Sequence, residues 1–142
     1  MQRLRDAVRT NIVLKGILTA EDAVLATDHG VDAVVVSNHG GRVDDGGRAT
    51  MDALPEIGGA LNGRMPVLVD SGFRRGTDIV KALAMGATAG GVGRPYLWGL
   101  AAFGQPGVER VLQILRRETE AAMRQVGAPT LRDLTPAMVQ RA

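Results

Sequence analysis

A chain of 142 residues with 45% apolar side chains is long enough for one packed domain and too apolar for a disordered one. Aromatic residues make up 3%, and the net charge of +2 comes from 17 basic and 15 acidic residues scattered along the chain, so neither a stacking platform nor a basic stripe for nucleic acid is present. Cysteine is absent, which rules out disulfides and thiolate metal sites and suits a reducing compartment; with no apolar run of membrane length and no signal-peptide pattern, the expected location is cytoplasmic.

In chain order, residues 1–9 have helical composition with no N-cap before them, and read as a helix entered part-way, with sequence missing upstream. Residues 11–17, NIVLKGI, read as a buried strand ending at Lys15-Gly16. Thr19 is placed to cap a helix over 20–28, with Ala23, Leu25 and Ala26 facing inward and His29-Gly30 as its stop. A second strand, 31–37, contains Val34-Val35-Val36 with no polar alternation, so both of its faces should be covered. A loop over 39–48 follows, then a short helix over 52–61 with Pro55 in its first turn.

The third strand is 66–70, PVLVD, and the helix after it is 77–85, with Ile79, Val80 and Leu83 inward and Gly86 closing it. Residues 87–93, ATAGGVG, are a fourth strand by position only, because two adjacent glycines weaken it. A helical region opens at Arg94-Pro95 and breaks at 104–107. It resumes over 108–126 with Val111, Leu112, Leu115 and Ala122 along one face, and a short helical tail over 130–139 follows Gly127. Strand and helix alternate four times, which predicts an α/β fold with a parallel sheet in a single domain.

The strand ends carry the chemistry, as they do in parallel α/β folds. Lys15 is a point cation. His39 and Arg42, three positions apart after the second strand, offer a base and a planar fork for a carboxylate. Asp70 and Arg74 flank a glycine turn, and Gly93-Arg94 precedes a helix start, where free N–H groups and the dipole suit a phosphate. No His, Cys or acidic grouping has metal-ligand spacing, so no metal site is expected.

Taken together, VLKGI, SNHGGR, VDSGFRRGTDIVKALAMGA and VGRPYLWGLA resemble the FMN-dependent 2-hydroxy acid dehydrogenases and oxidases, the group of glycolate oxidase, lactate oxidase, lactate 2-monooxygenase and mandelate dehydrogenase. The likeness runs from about Asn11 to about Gly127 and covers only the second half of the family's barrel. It implies the C-terminal half of a TIM (β/α)8 barrel, about four βα units with C-terminal helices, organised as one FMN-binding domain over 1–142 (partial helix 1–10, βα units 11–104, helices 108–142). It further implies FMN as cofactor and oxidation of a small L-2-hydroxy acid, lactate- or glycolate-like, to the 2-oxo acid.

By the same resemblance, Lys15 contacts the flavin ring near N1 and the C2 carbonyl, and Ser37 binds the flavin. His39 is the base that removes a proton from the substrate as its α-hydrogen leaves toward flavin N5, and Arg42 grips the substrate carboxylate. Asp70, Ser71, Gly72, Phe73 and Arg74 match the ribityl and phosphate turn, and Gly93 with Arg94 the phosphate pocket. Three departures stand beside these. The family's tyrosine and aspartate partners of the base belong to the first half of the barrel, and Tyr96 does not match that tyrosine. Val43-Asp44-Asp45 stands where Gln is expected after the arginine, and Gly90-Gly91 replaces bulkier residues.

Other positions read more plainly. His29 is a helix cap, one of Arg74 and Arg75 is a surface charge, and Asp44, Asp45 and Arg48 are a solvated loop. Half a barrel would expose two unpaired strand edges and an apolar inner face. The chain therefore reads either as a piece of a flavin-dependent 2-hydroxy acid oxidoreductase, weak or inactive alone, or as a non-catalytic FMN-binding or assembly module. Such a module would pair with a copy of itself, as a homo-oligomer, or with a separate N-terminal half. Another phosphate-binding FMN barrel enzyme, such as an isomerase, gives no reason for Arg42 beside His39.

Overall fold

The computed structural model describes residues 1–43 and 45–140; the loop position expected at Asp44 and the last two residues of the expected domain, Arg141 and Ala142, lie outside the described residues. The elements are α1 (Gln2–Ala7), β1 (Val13–Ile17), α2 (Ala20–Asp28), β2 (Ala33–Val36), α3 (Thr50–Leu61), β3 (Val67–Val69), α4 (Gly76–Ala84), β4 (Ala89–Gly90) and α5 (Arg94–Gln125). Two 3-10 turns, Leu131–Asp133 and Pro136–Met138, follow.

The strands form one parallel sheet in the order β1-β2-β3-β4. Crossovers of one hand between strictly sequential strands return every helix to the same side of a sheet. On that side Val34, Val36 and Val69 are fully buried and pack with Ala23 and Ala26 of α2, Ala53, Leu54, Ile57 and Leu61 of α3, and Ala82 of α4. Each fully buried Leu or Ile there contributes about 1.5–3 kcal/mol.

The other face is different. Lys15, Val35, Leu68 and Ala89 are register partners across the sheet. Along that row Val35 and Leu68 are half-buried, and Lys15 and Ala89 are exposed. The coverage of β2 expected on both faces is therefore complete on the helix side alone, and the inner face is open, as a half-barrel predicts.

Several boundaries differ from the sequence reading. The first helix is shorter than 1–9, and the fourth strand is only Ala89–Gly90. Phe73 explains the small residues there: a Cβ on Gly90 would stand 3.3 Å from its ring, and one on Gly91 3.2 Å from Asp70 Cβ. The glycines that stand where bulkier residues were expected make room for two neighbours, Phe73 and Asp70. Helix α3 begins two residues early because Thr50 is buried and donates to the Asp70 carbonyl (2.8 Å), which moves Pro55 out of the first turn.

Leu25 and Leu112, expected inward, are exposed. Ala23 and Ala26, three apart, form the buried stripe of α2, and Leu115 and Ala122 that of α5. The break in α5 falls at Phe103-Gly104, and helix resumes through Pro106. The expected helical tail is instead the two 3-10 turns; Asp133 caps the first through Thr130 N (2.8 Å) and Oγ1 (2.7 Å).

Candidate active site

The loop after β2 reverses sharply, with His39, Gly40 and Gly41 at φ of 56°, 74° and 68°. Left-handed backbone is uncommon for a non-glycine residue and persists where surrounding bonds over-determine it. Here the bonds are plentiful. His39 N donates to Ser37 Oγ (3.2 Å), Gly40 N to Ser71 Oγ (3.2 Å) and Asn38 Oδ1 (3.0 Å), and Gly41 N to Asn38 Oδ1 (3.1 Å).

Beneath this loop, Asp70 at the end of β3 gathers the polar groups. Lys15 Nζ lies 2.8 Å from Asp70 Oδ2 and donates to Ser37 Oγ at 2.5 Å, while Ser71 Oγ donates to Asp70 Oδ1 at 2.9 Å. Burial pushes the Asp70 carboxyl up, but hydrogen bonds from Lys15, Ser37 and Ser71, with the charge of Lys15, outweigh it and hold the carboxyl below the usual carboxylate range. The two hydroxyls that bond the carboxylate also accept the N–H groups of the His39 loop. One carboxylate thus ties the ends of β1, β2 and β3 together.

The two helix starts nearby are not equivalent. That of α4 is already satisfied: Arg74 N and Arg75 N both donate to Asp78 Oδ2 (2.9 Å each), and Gly76 N donates to Glu118 Oε2 (2.8 Å). That of α5, after Gly93, has no side-chain cap. Arg94 reaches back from it to the Gly40 carbonyl (Nη2 to O, 2.8 Å), joining the anion-seeking end to the His39 loop.

A groove of about 340 Å³ runs along this rim, within the range of small-molecule sites. Lys15, His39, Arg42, Arg74 and Arg94 line it with Asp70. Arg42 makes no hydrogen bond or ion pair among the described residues, and the Arg74 guanidinium stacks on Trp98 (5.4 Å to the ring centre). An accessible imidazole, a guanidinium fork and a helix start without a side-chain cap in one groove can accept a proton, grip a carboxylate and hold a phosphate.

Of the residues singled out from sequence, Lys15, His39, Arg42, Asp70, Ser71, Gly72, Phe73, Arg74, Gly93 and Arg94 all line the groove. Ser37 does not. It is fully buried under the loop, bonded to Lys15 and to His39 N. Phe73 is mostly a core residue whose ring packs beside Gly90. Arg75 turns away to Glu118 (3.1 Å), and Tyr96 is not among the lining residues.

Sequence reasoning missed Asn38 and Glu118. The Asn-x-Gly-Gly spacing signals the first; no local pattern signals the second. Among the described residues no cluster of three or more His or acidic groups is placed to hold a metal, and no helix is long and apolar enough to cross a membrane.

The family model described as FMN-dependent dehydrogenase matches residues 1–141. An L-lactate oxidase of Nostoc sp. is 55% identical over 123 residues, 87% of this chain and 34% of that protein. A peroxisomal (S)-2-hydroxyacid oxidase of Arabidopsis thaliana is 50% identical over 132 residues, 93% of this chain and 36% of that protein. Among solved structures, a soluble mutant of the membrane-associated (S)-mandelate dehydrogenase from Pseudomonas putida superposes with a TM-score of 0.93 at 43% identity, covering 99% of this chain and 40% of that one. The chain thus spans about a third of the length of the curated relatives it matches. With its parallel sheet, its groove at the strand ends and a match over nearly every residue, the chain belongs to the FMN-dependent dehydrogenase family.

Proposed function

We propose that this chain carries the cofactor-holding and proton-accepting part of an enzyme that oxidises a small L-2-hydroxy acid, of the lactate or glycolate kind, to the 2-oxo acid. The observation that carries the reading is the single groove in which His39 and Arg42 meet the uncapped start of α5, with Arg94 bonded back to Gly40. The lining also suits FMN. Arg74, Arg94 and the α5 N–H groups match a phosphate dianion, and a Cβ on Gly72 or Gly93 would meet no protein atom within 4 Å, so the backbone there is open to a ligand.

Bound FMN would supply the acceptor for the two electrons that leave with the substrate's α-hydrogen. His39 takes the proton that the substrate gives up, Arg42 orients the acid by its carboxylate, and Lys15 sets a fixed positive charge in the groove that would favour the reduced, anionic flavin. Asp70 and Ser37 hold Lys15 and the loop in place. The described residues act as one FMN-binding half-barrel domain in the cytoplasm. A second reading, a non-catalytic FMN-binding or assembly module that pairs with its own copy or with a separate N-terminal half, is favoured by the open inner face.

Titration of the chain with FMN, followed by flavin fluorescence and then by anaerobic bleaching with L-lactate or glycolate, tests the reading. Binding that weakens about tenfold or more in Arg94→Ala, with slow bleaching, is the expected result. Binding without bleaching selects the non-catalytic FMN-binding module, and no binding overturns the enzymatic reading in favour of the assembly module.

A further inference from the structure

Strand β1 does not run straight into its loop. Lys15 pairs with Val35 and Ile17 with Val36, so Gly16 is an extra residue, a bulge with φ of 101°. A Cβ built on Gly16 would lie 2.9 Å from His39 Cε1, 3.6 Å from Nε2 and 3.9 Å from Nδ1. The imidazole therefore rests against the bare backbone of the bulge. Everything else that fixes His39 acts on its main chain, through the left-handed φ and the bond from its N–H to Ser37. Its ring makes no hydrogen bond among the described residues.

We propose that Gly16 is the positioning residue of the His39 ring: the bulge clears the side chain that would stand in the imidazole's place, and so sets where the ring sits beside Lys15. The importance of this contact rests on reading His39 as the base; its geometry does not. Proton transfer depends steeply on placement, and a methyl group at this point would push the ring off its seat by a sizeable fraction of an ångström.

The test needs no flavin, so a chain that fails to bind FMN would defeat the functional reading and leave this one standing. In the unaltered 142-residue chain a nuclear Overhauser contact between His39 Cε1–H and the Gly16 Hα protons is expected, and its absence overturns the proposal. His29, the other of the two histidines, is the internal reference: Gly16→Ala should move the His39 ring resonances and leave those of His29 in place.

A double-mutant cycle in thermal midpoint then separates ring contact from backbone strain. Strain at a positive φ persists whether or not the ring is there, whereas the clash disappears with it. The midpoint loss caused by Gly16→Ala should be clearly smaller in a His39→Ala background; equal losses overturn the proposal. If Gly16→Ala alone does not fold, recovery of a cooperative transition in the double variant supports the contact, and failure of both counts against it.

Discussion

Asp70 is the residue on which the candidate site's order depends, because its carboxylate is bonded to Lys15 and to the hydroxyls that pin the His39 loop. Its carboxyl lies lower in the folded chain than in the unfolded one. The folded state therefore gains from the charged form at every pH above the unfolded value of about 3.9, and loses that gain as pH falls through the folded value. Asp70→Asn should destabilise the chain at neutral pH by about 1–2 kcal/mol, a figure kept modest because Lys15 is partly in water. It should also flatten the decline in stability below about pH 4. Urea melts of both proteins across that range give the measurement; parallel acid limbs would mean that Asp70 is not held low. Asp32, Glu56 and Asp133 are held low as well and remain in the variant, so the difference isolates one carboxylate. At this scale the sequence was legible where a residue's position follows from its place at a strand end, as for Lys15, His39 and Arg42, which all line the groove. It was not legible for Gly16 or Glu118, whose work is defined by partners far along the chain.

Between elements, α4 packs closely against α5. Gly76 opens α4 with its N–H on Glu118, and a Cβ there would be driven into the backbone of Glu118 and Thr119. Backbone cannot swing aside as a side-chain tip can. Gly76→Ala should therefore cost about 2–4 kcal/mol, read as a lowered denaturant midpoint at unchanged slope. A loss under about 0.5 kcal/mol would show that the helices part easily. The order and kind of elements could be read from the chain, because unbroken Val runs and glycine stops encode strand-helix alternation locally. Their ends could not. Thr50 starts α3 early by bonding the end of β3, and Phe73 and Asp70 confine Gly90 of β4 and Gly91 just after it; both effects come from the third dimension.

At the scale of the whole molecule, among the described residues β1 and β4 each have a neighbour on one side only, and the row through Val35 and Leu68 is incompletely covered. The first half of α5 adds Leu97, Trp98, Leu100 and Phe103 to the exposed apolar surface. Two open parallel edges and an uncovered inner face are what four strands of an eight-stranded barrel leave behind, and closure removes both. Burial of that face favours a closed assembly, and mass action then makes stability depend on concentration. Sedimentation of the chain alone should show association growing between about 1 and 100 µM. A separately prepared polypeptide with the first four βα units of a relative should displace that self-association, form a one-to-one complex and raise FMN affinity by about tenfold or more. The two effects should be coupled through one surface, because Lys15 and the β1 bulge lie on the strand at the edge of the inner face. A chain that stays monomeric across this range and gains nothing from the added half would show that the open edges are not a docking surface.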